Sequence, residues 1–136
     1  NQIIGVKDSS YNLFEKLKLK NFSVMPGSES KLLKGLESGC SGIITATCNV
    51  TSQLSRKVYD DFKENKNQSF NQKLVDVRNT FDKYNLISAL HTLYSKENKI
   101  YENLLPPLSL LNKVDEKNLV QSLKNLNFET KSQLAA

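Results

Sequence analysis

Apolar residues follow two different rhythms along this chain. Up to about residue 50 they form short β-branched runs closed by polar or glycine-rich turns; beyond it they recur at helical spacing. Residues 2–7 read as a buried strand, because Ile3, Ile4 and Val6 lead straight into the turn signal "DSS". Residues 11–20 then read as a helix, with Leu13, Phe14 and Leu17 on one stripe and Asp8, Ser9 or Ser10 as its N-cap. "FSVM" at 22–25 reads as a second strand, stopped by "PGS". A second helix runs from Ser28 or Glu29 to Ser38, carrying Leu32, Leu33 and Leu36 and ending at Gly39. "SGIITAT" at 41–47 reads as a third strand. The strand ends Lys7, Gly27 and Thr47 stand 20 residues apart, a spacing that fits short crossover helices over a parallel sheet.

Beyond Asn49 the pattern is helical. Helices are expected over 51–65 (Leu54, Val58, Phe62), 69–84 (Phe70, Leu74, Val77, Phe81, Tyr84) and 86–96 (Leu86, Ile87, Leu90, Leu93). "LLPPLS" at 104–109 is expected to be extended, since a proline pushes its predecessor out of the helical region. A last helix over 114–126 takes Asp115 as its cap, and the tail after Phe128 is expected to be loose. The whole reads as one α/β domain: a strand–helix segment over 1–50 and a helical region over 51–136.

Composition narrows the function classes. The net charge is +5 over 136 residues, but the lysines are scattered and Arg56 and Arg78 are the only arginines. No basic block with stacking aromatics marks a nucleic-acid surface, and a basic binding module would need one. No apolar run has the length of a membrane span. Cys40 and Cys48 lack metal-ligand spacing and suit small buried positions in a reducing cytoplasm. His91 is the only histidine, so a structural role is expected for it and no metal site. The chain opens on Asn1 and reaches its first strand within three residues, as a processed chain or the C-terminal piece of a longer one does.

Candidate chemistry gathers at the strand ends, where parallel α/β sheets bind their ligands. Alternation puts Ile3, Gly5 and Lys7 on one face, with Gly5 leaving room beside the lysine stem. A lysine held among apolar strands is poorly solvated, which lowers its pKa. Bringing it from about 10.4 to near 7 costs the ammonium roughly 4–5 kcal/mol. The free amine so produced attacks ketones and forms an imine, an electron sink for the neighbouring carbon. The plainer role is the first solvated lysine of a loop, its stem lying on apolar surface.

"GVKDSS" at 5–10, "PGSES" at 26–30 and "GCSGIITATCNV" at 39–50 together resemble three successive landmarks of one family. These are the pyruvate-dependent class I aldolases and synthases typified by dihydrodipicolinate synthase, N-acetylneuraminate lyase and 2-keto-3-deoxygluconate aldolase. The likeness extends over essentially the whole chain. It implies the C-terminal part, strands six to eight, of a (β/α)8 TIM barrel followed by a helical region. Lys7 then matches the lysine that forms a Schiff base with pyruvate or the keto acid being cleaved. Gly27, Ser28 and Glu29 match the strand-seven loop that meets the rest of the substrate. Ile44 matches the residue whose backbone lies against pyruvate, and Thr45, Ala46 and Thr47 line the strand-eight end. Each has a plainer role as well: turn glycine, first-turn acid, core isoleucine, β-branched strand residue.

The resemblance implies a lyase or synthase that uses no cofactor beyond the imine on Lys7, and no metal. Its partners would be pyruvate and an aldehyde or keto acid, in a cytoplasmic homo-oligomer with neither nucleic acid nor membrane. A full barrel takes about 250 residues, so the N-terminal half-barrel, or another chain, is expected to complete it. The tyrosine of strand five and the hydroxyls of strand two have no counterpart here, and Tyr11 is not placed to substitute. "PGSES", "LLPPLSLL" and the proline-free "YNLISALHTLY" favour the keto-deoxy sugar-acid aldolases. Dihydrodipicolinate synthase, a neuraminate-type lyase and a non-catalytic keto-acid-binding relative are the alternatives.

Overall fold

The computed structural model describes residues 2–129, so the tail expected to be loose lies largely outside the described residues. Two short strands, β1 (Gly5–Asp8) and β2 (Ser23–Pro26), pair in parallel with Lys7 opposite Met25. A 3-10 turn at Glu29–Lys31 leads into α1 (Leu32–Glu37). Four further helices follow: α2 (Cys48–Lys63), α3 (Asn71–Phe81), α4 (Leu86–Tyr94) and α5 (Lys113–Asn125). A 3-10 segment at Lys99–Glu102 lies between α4 and α5.

The sheet has one covered face and one open face. Asp8, Val24 and Pro26 are buried on the helix side, where Val6 and Val24 pack with Phe14 and Cys40. Lys7 and Met25 point the other way, and Lys7 is exposed. The main core lies among the helices, with Val50, Val77, Phe81, Leu90, Leu119 and Leu123 buried together. A second cluster of Leu32, Leu36, Val58 and Leu74 joins α1 to α2 and α3.

The expected helix over 11–20 is absent, and a loop gathered around Asp8 stands in its place. The buried Asp8 carboxylate accepts five hydrogen bonds. Oδ1 takes the Ser10 N–H (3.1 Å), the Ser10 hydroxyl (2.7 Å) and the Tyr11 N–H (2.9 Å); Oδ2 takes the N–H groups of Leu13 (2.9 Å) and Phe14 (3.0 Å). Tyr11 is thereby held at φ 59°, a left-handed conformation no helix admits. One turn survives, in which the Lys16 and Leu17 amides reach the Leu13 carbonyl. The capping role assigned to Asp8 is real, but it organises a loop.

Burial pushes the Asp8 carboxyl up, and the five donors outweigh it, holding the group below the ordinary 3.8. A depressed folded-state pKa means that the stability Asp8 contributes is complete above about pH 4 and is lost as pH falls through the lowered value. Asp8→Asn turns an amide donor toward the Leu13 and Phe14 amides and is expected to cost about 1–3 kcal/mol. Urea titrations at pH 7 and pH 3 check this: the gap between wild type and variant should shrink at the lower pH.

The third expected strand also fails to form. Residues 41–47 run beside β2, but the Ile44 amide to the Pro26 carbonyl (3.1 Å) is the one backbone bond between them. Ser23 and Gly27 spend their amides on Ile4 and Asp8, so Val24 and Pro26 face the third segment. Pro26 has no N–H to give, which removes a rung. Helix α2 instead begins at Cys48, three residues before the expected start.

Three smaller differences follow the same logic. Asn112 caps α5 where Asp115 was expected, its side-chain oxygen accepting from the Val114 and Asp115 amides. Residues 105–108 form a turn, closed by the Leu108 amide on the Leu105 carbonyl, in place of an extended run. A side chain on Gly5 would stand 2.8 Å from the Ser23 carbonyl, so this glycine permits the close approach of β1 and β2. It does not serve as space for the lysine stem.

Candidate active site

The site is the carboxyl end of the two strands and the segment beyond them. Lys7 occupies the next-to-last position of β1, on the open face. A Cβ placed on Gly27 would meet Lys7 Cε and Ser9 Oγ, each at 3.3 Å, so the bare glycine lets the lysine stem pass. The walls expected to desolvate Lys7 are not supplied by this chain: the lysine is exposed, as is Ile3 on the same face.

The remaining candidates separate into two groups. Ile44 is 45% exposed, while Gly27 and Ala46 are half-buried, Ala46 against the helical core. Ser28 and Glu29 are buried, and the Ser28 hydroxyl accepts from the Ser30 amide as the cap of the 3-10 turn. Glu29 is fully buried and its carboxylate is occupied on both oxygens. Oε1 accepts from the Thr51 hydroxyl (2.8 Å); Oε2 accepts from the Thr45 hydroxyl (2.9 Å) and from Arg78 Nη1 (3.1 Å). In this arrangement Glu29 faces protein partners, where the resemblance had implied contact with substrate.

Arg78, on α3, is the residue sequence reasoning missed. It is 7% exposed, and its Nη1 also reaches Thr45 Oγ1 (2.9 Å) and Thr47 Oγ1 (3.2 Å). Its Nε donates to Asp82 Oδ1 at 2.9 Å. Burial works against the guanidinium charge, but Asp82 and Glu29 outweigh it and hold the pKa above its ordinary value. The signal was available: Leu74, Val77, Arg78 and Phe81 share one helical stripe, so Arg78 stands in the core-facing row.

Donor counting orders the hydroxyls. Thr45 gives its one proton to the carboxylate, so across the 3.1 Å Thr45–Thr47 contact Thr47 must be the donor. Both threonine protons are therefore spent inside the network. No buried side-chain nitrogen or oxygen among the described residues lacks a partner.

Cys40 and His91 stand apart from this site, whereas the Cys48 thiol borders the Glu29–Thr51 network. Burial pushes the Cys40 and Cys48 thiols up, and both are unpaired. His91 bonds through Nδ1 with the Tyr101 carbonyl (2.8 Å) and meets the Tyr101 ring edge-on. Among the described residues no group of His, Cys, Asp and Glu is arranged to hold a metal, and no helix is long and apolar enough to cross a membrane.

The model of the dihydrodipicolinate synthetase family matches residues 1–126. The chain belongs to that family. Its relatives include a 2-dehydro-3-deoxy-D-gluconate/2-dehydro-3-deoxy-phosphogluconate aldolase from Picrophilus torridus, 30% identical over 112 residues, which are 76% of this chain and 42% of the relative. Among solved structures, dihydrodipicolinate synthase from Aquifex aeolicus matches with a TM-score of 0.80 at 20% identity, covering 95% of this chain and 47% of that one. The prophage protein YagE from E. coli K12, of the same family and solved in complex with pyruvate, matches with a TM-score of 0.70 at 20% identity, covering 93% and 47%. The chain thus spans under half the length of these relatives, and its fold is part of a TIM barrel.

Proposed function

We propose that this chain supplies strands six and seven, and the segment in the place of strand eight, of the barrel of a pyruvate-dependent class I aldolase, with Lys7 as its imine-forming residue. The observation that carries the reading is the place of Lys7: at the carboxyl end of β1, on the open face, its stem passing over the bare Gly27. The amine adds to the keto carbon and expels water. The resulting imine accepts the electron pair when the C3–C4 bond breaks, an aldehyde leaves, and the enamine takes a proton at C3. Water then hydrolyses the imine and frees pyruvate and the lysine. The imine itself is the electron sink, so the reading assigns the step no metal or other cofactor.

Substrate class follows the resemblance and the named relative: a 2-keto-3-deoxy sugar acid, cleaved to pyruvate and an aldehyde. Gly27, Ile44 and Ala46 are proposed to line the ligand directly, and Ser28, Glu29 and Thr45 to shape that lining from beneath. A further half-barrel is proposed to cover the open face, where Lys7 is exposed and Ile3, on the same face, is 74% exposed. Two unpaired cysteines suit a cytoplasmic setting, and assembly as a homo-oligomer belongs to the same reading.

Reductive trapping tests it: the chain, incubated with pyruvate and reduced with borohydride, should gain a pyruvate-derived mass on the peptide containing Lys7. An adduct spread over the exposed lysines would overturn the assignment. Gly27→Ala is expected to slow trapping about tenfold while leaving the urea midpoint in place, because the added methyl displaces a flexible stem at the reacting group.

A further inference from the structure

We infer that Arg78 is a positioning residue: from α3 it sets the register of residues 44–47, the segment that forms the far wall of the site. A central barrel strand is normally placed by its ladder. Here the ladder is reduced to the Ile44 amide on Pro26, because β2 presents a proline at that edge. Side chains take over the task. Arg78 Nη1 holds Thr45 at 2.9 Å and Thr47 at 3.2 Å, and the same nitrogen holds Glu29 at 3.1 Å. Glu29 lies two residues after Gly27, so one guanidinium ties residues 45–47 to the turn that follows the glycine beneath the Lys7 stem.

The tie runs on into α2. The Thr47 carbonyl accepts the Val50 and Thr51 amides, the Ala46 carbonyl accepts the Asn49 amide, and the Thr51 hydroxyl returns to Glu29. Thr45 and Thr47 both turn their hydroxyls to Arg78, Ala46 packs against the helical core, and Ile44 is left exposed toward the ligand side. A one-residue slip would exchange these roles, and the two threonine bonds to Arg78 oppose it. In functional terms the inference rests on Lys7 as the imine-forming residue. In structural terms it does not.

Two variants test it in this chain. Arg78→Lys keeps the charge but cannot reach Thr45, Thr47, Glu29 and Asp82 together. Thr47→Val removes the Thr47 bonds to Arg78 and Thr45 and leaves the ion pair intact. Hydrogen exchange is read at the Ile44, Asn49, Val50 and Thr51 amides, with the Leu119 and Leu123 amides of α5 as reference. In Arg78→Lys the first set should exchange about tenfold faster, in Thr47→Val less, and the α5 amides should not move. Arg56→Lys, in an exposed pair with Asp60, should change neither set.

The same variants should raise the pyruvate concentration needed for half-maximal trapping at Lys7 and leave the plateau rate unchanged. Unaltered exchange at residues 44–51, or an equal rise in α5, would overturn the inference. If wild type gives no adduct on Lys7, the aldolase reading fails, and the exchange rates still decide whether Arg78 sets this register.

Discussion

Arg78→Ala is expected to destabilise the chain by about 3–5 kcal/mol, the loss typical when one partner of a buried ion pair is removed. The size comes from what is left behind. Glu29 is fully buried, and without Arg78 it keeps two threonine hydroxyls and no opposite charge. A small domain has about 5–15 kcal/mol in total, so the urea midpoint should fall by more than about 1 M. Glu29→Gln should cost less than Arg78→Ala, because the Arg78 guanidinium keeps Asp82, which is exposed enough to share its charge with water. The double variant Glu29→Gln/Arg78→Met removes both charges. It should regain a large part of the single loss, since an isolated buried charge is what costs most. A double-variant loss equal to the sum of the Glu29→Gln and Arg78→Met losses, each measured alone, would show that the two residues act independently.

This pair also shows where the sequence could be read and where it could not. The helices of the second half were legible because Leu54, Val58, Leu74, Val77, Phe81, Leu90 and Leu93 repeat at helical spacing and do bury together. The first half misled for a physical reason: its outcomes depend on partners distant in sequence or on single polar groups. The stripe of Leu13, Phe14 and Leu17 is helical in pattern, yet Tyr11 is left-handed and one carboxylate, Asp8, gathers the amides of Tyr11, Leu13 and Phe14 into a loop that runs on for only a single turn. "SGIITAT" has strand composition, but a strand exists only where a neighbour can bond it, and Pro26 withholds a donor.

At the site, the place of Lys7 was legible and its surroundings were not. Its desolvation depended on walls that 136 residues do not contain. Glu29 and Thr45 carried the family motif, but the motif could not say that their polar atoms turn toward Arg78. That information sat about fifty residues away, as one arginine in an otherwise apolar helical row.

Lys7→Arg should abolish the pyruvate adduct while leaving stability within about 0.5 kcal/mol of wild type. Lys7 is exposed and on the open face, so the chain loses no core contact on substitution. The variant keeps the positive charge and a long apolar stem, so electrostatic attraction of a keto acid survives. What it loses is a nitrogen able to shed a proton and add to a carbonyl, since guanidinium stays protonated in proteins. Loss of the adduct with retained fold therefore assigns the chemistry to the amine and not to charge. Lys7→Ala should give the same null result, and the difference between the two variants in non-covalent pyruvate binding measures the charge alone. Trapping that persists in Lys7→Arg would place the reactive amine elsewhere among the exposed lysines. Because the open face of β1 carries the lysine without walls, the rate in this chain should lie far below that of a barrel completed by its other strands, and supplying a matching half-barrel should raise it. That increase should vanish in Lys7→Arg. A half-barrel that speeds trapping equally in the variant would show that it brings its own reactive lysine, and that Lys7 is an ordinary residue at the end of a strand.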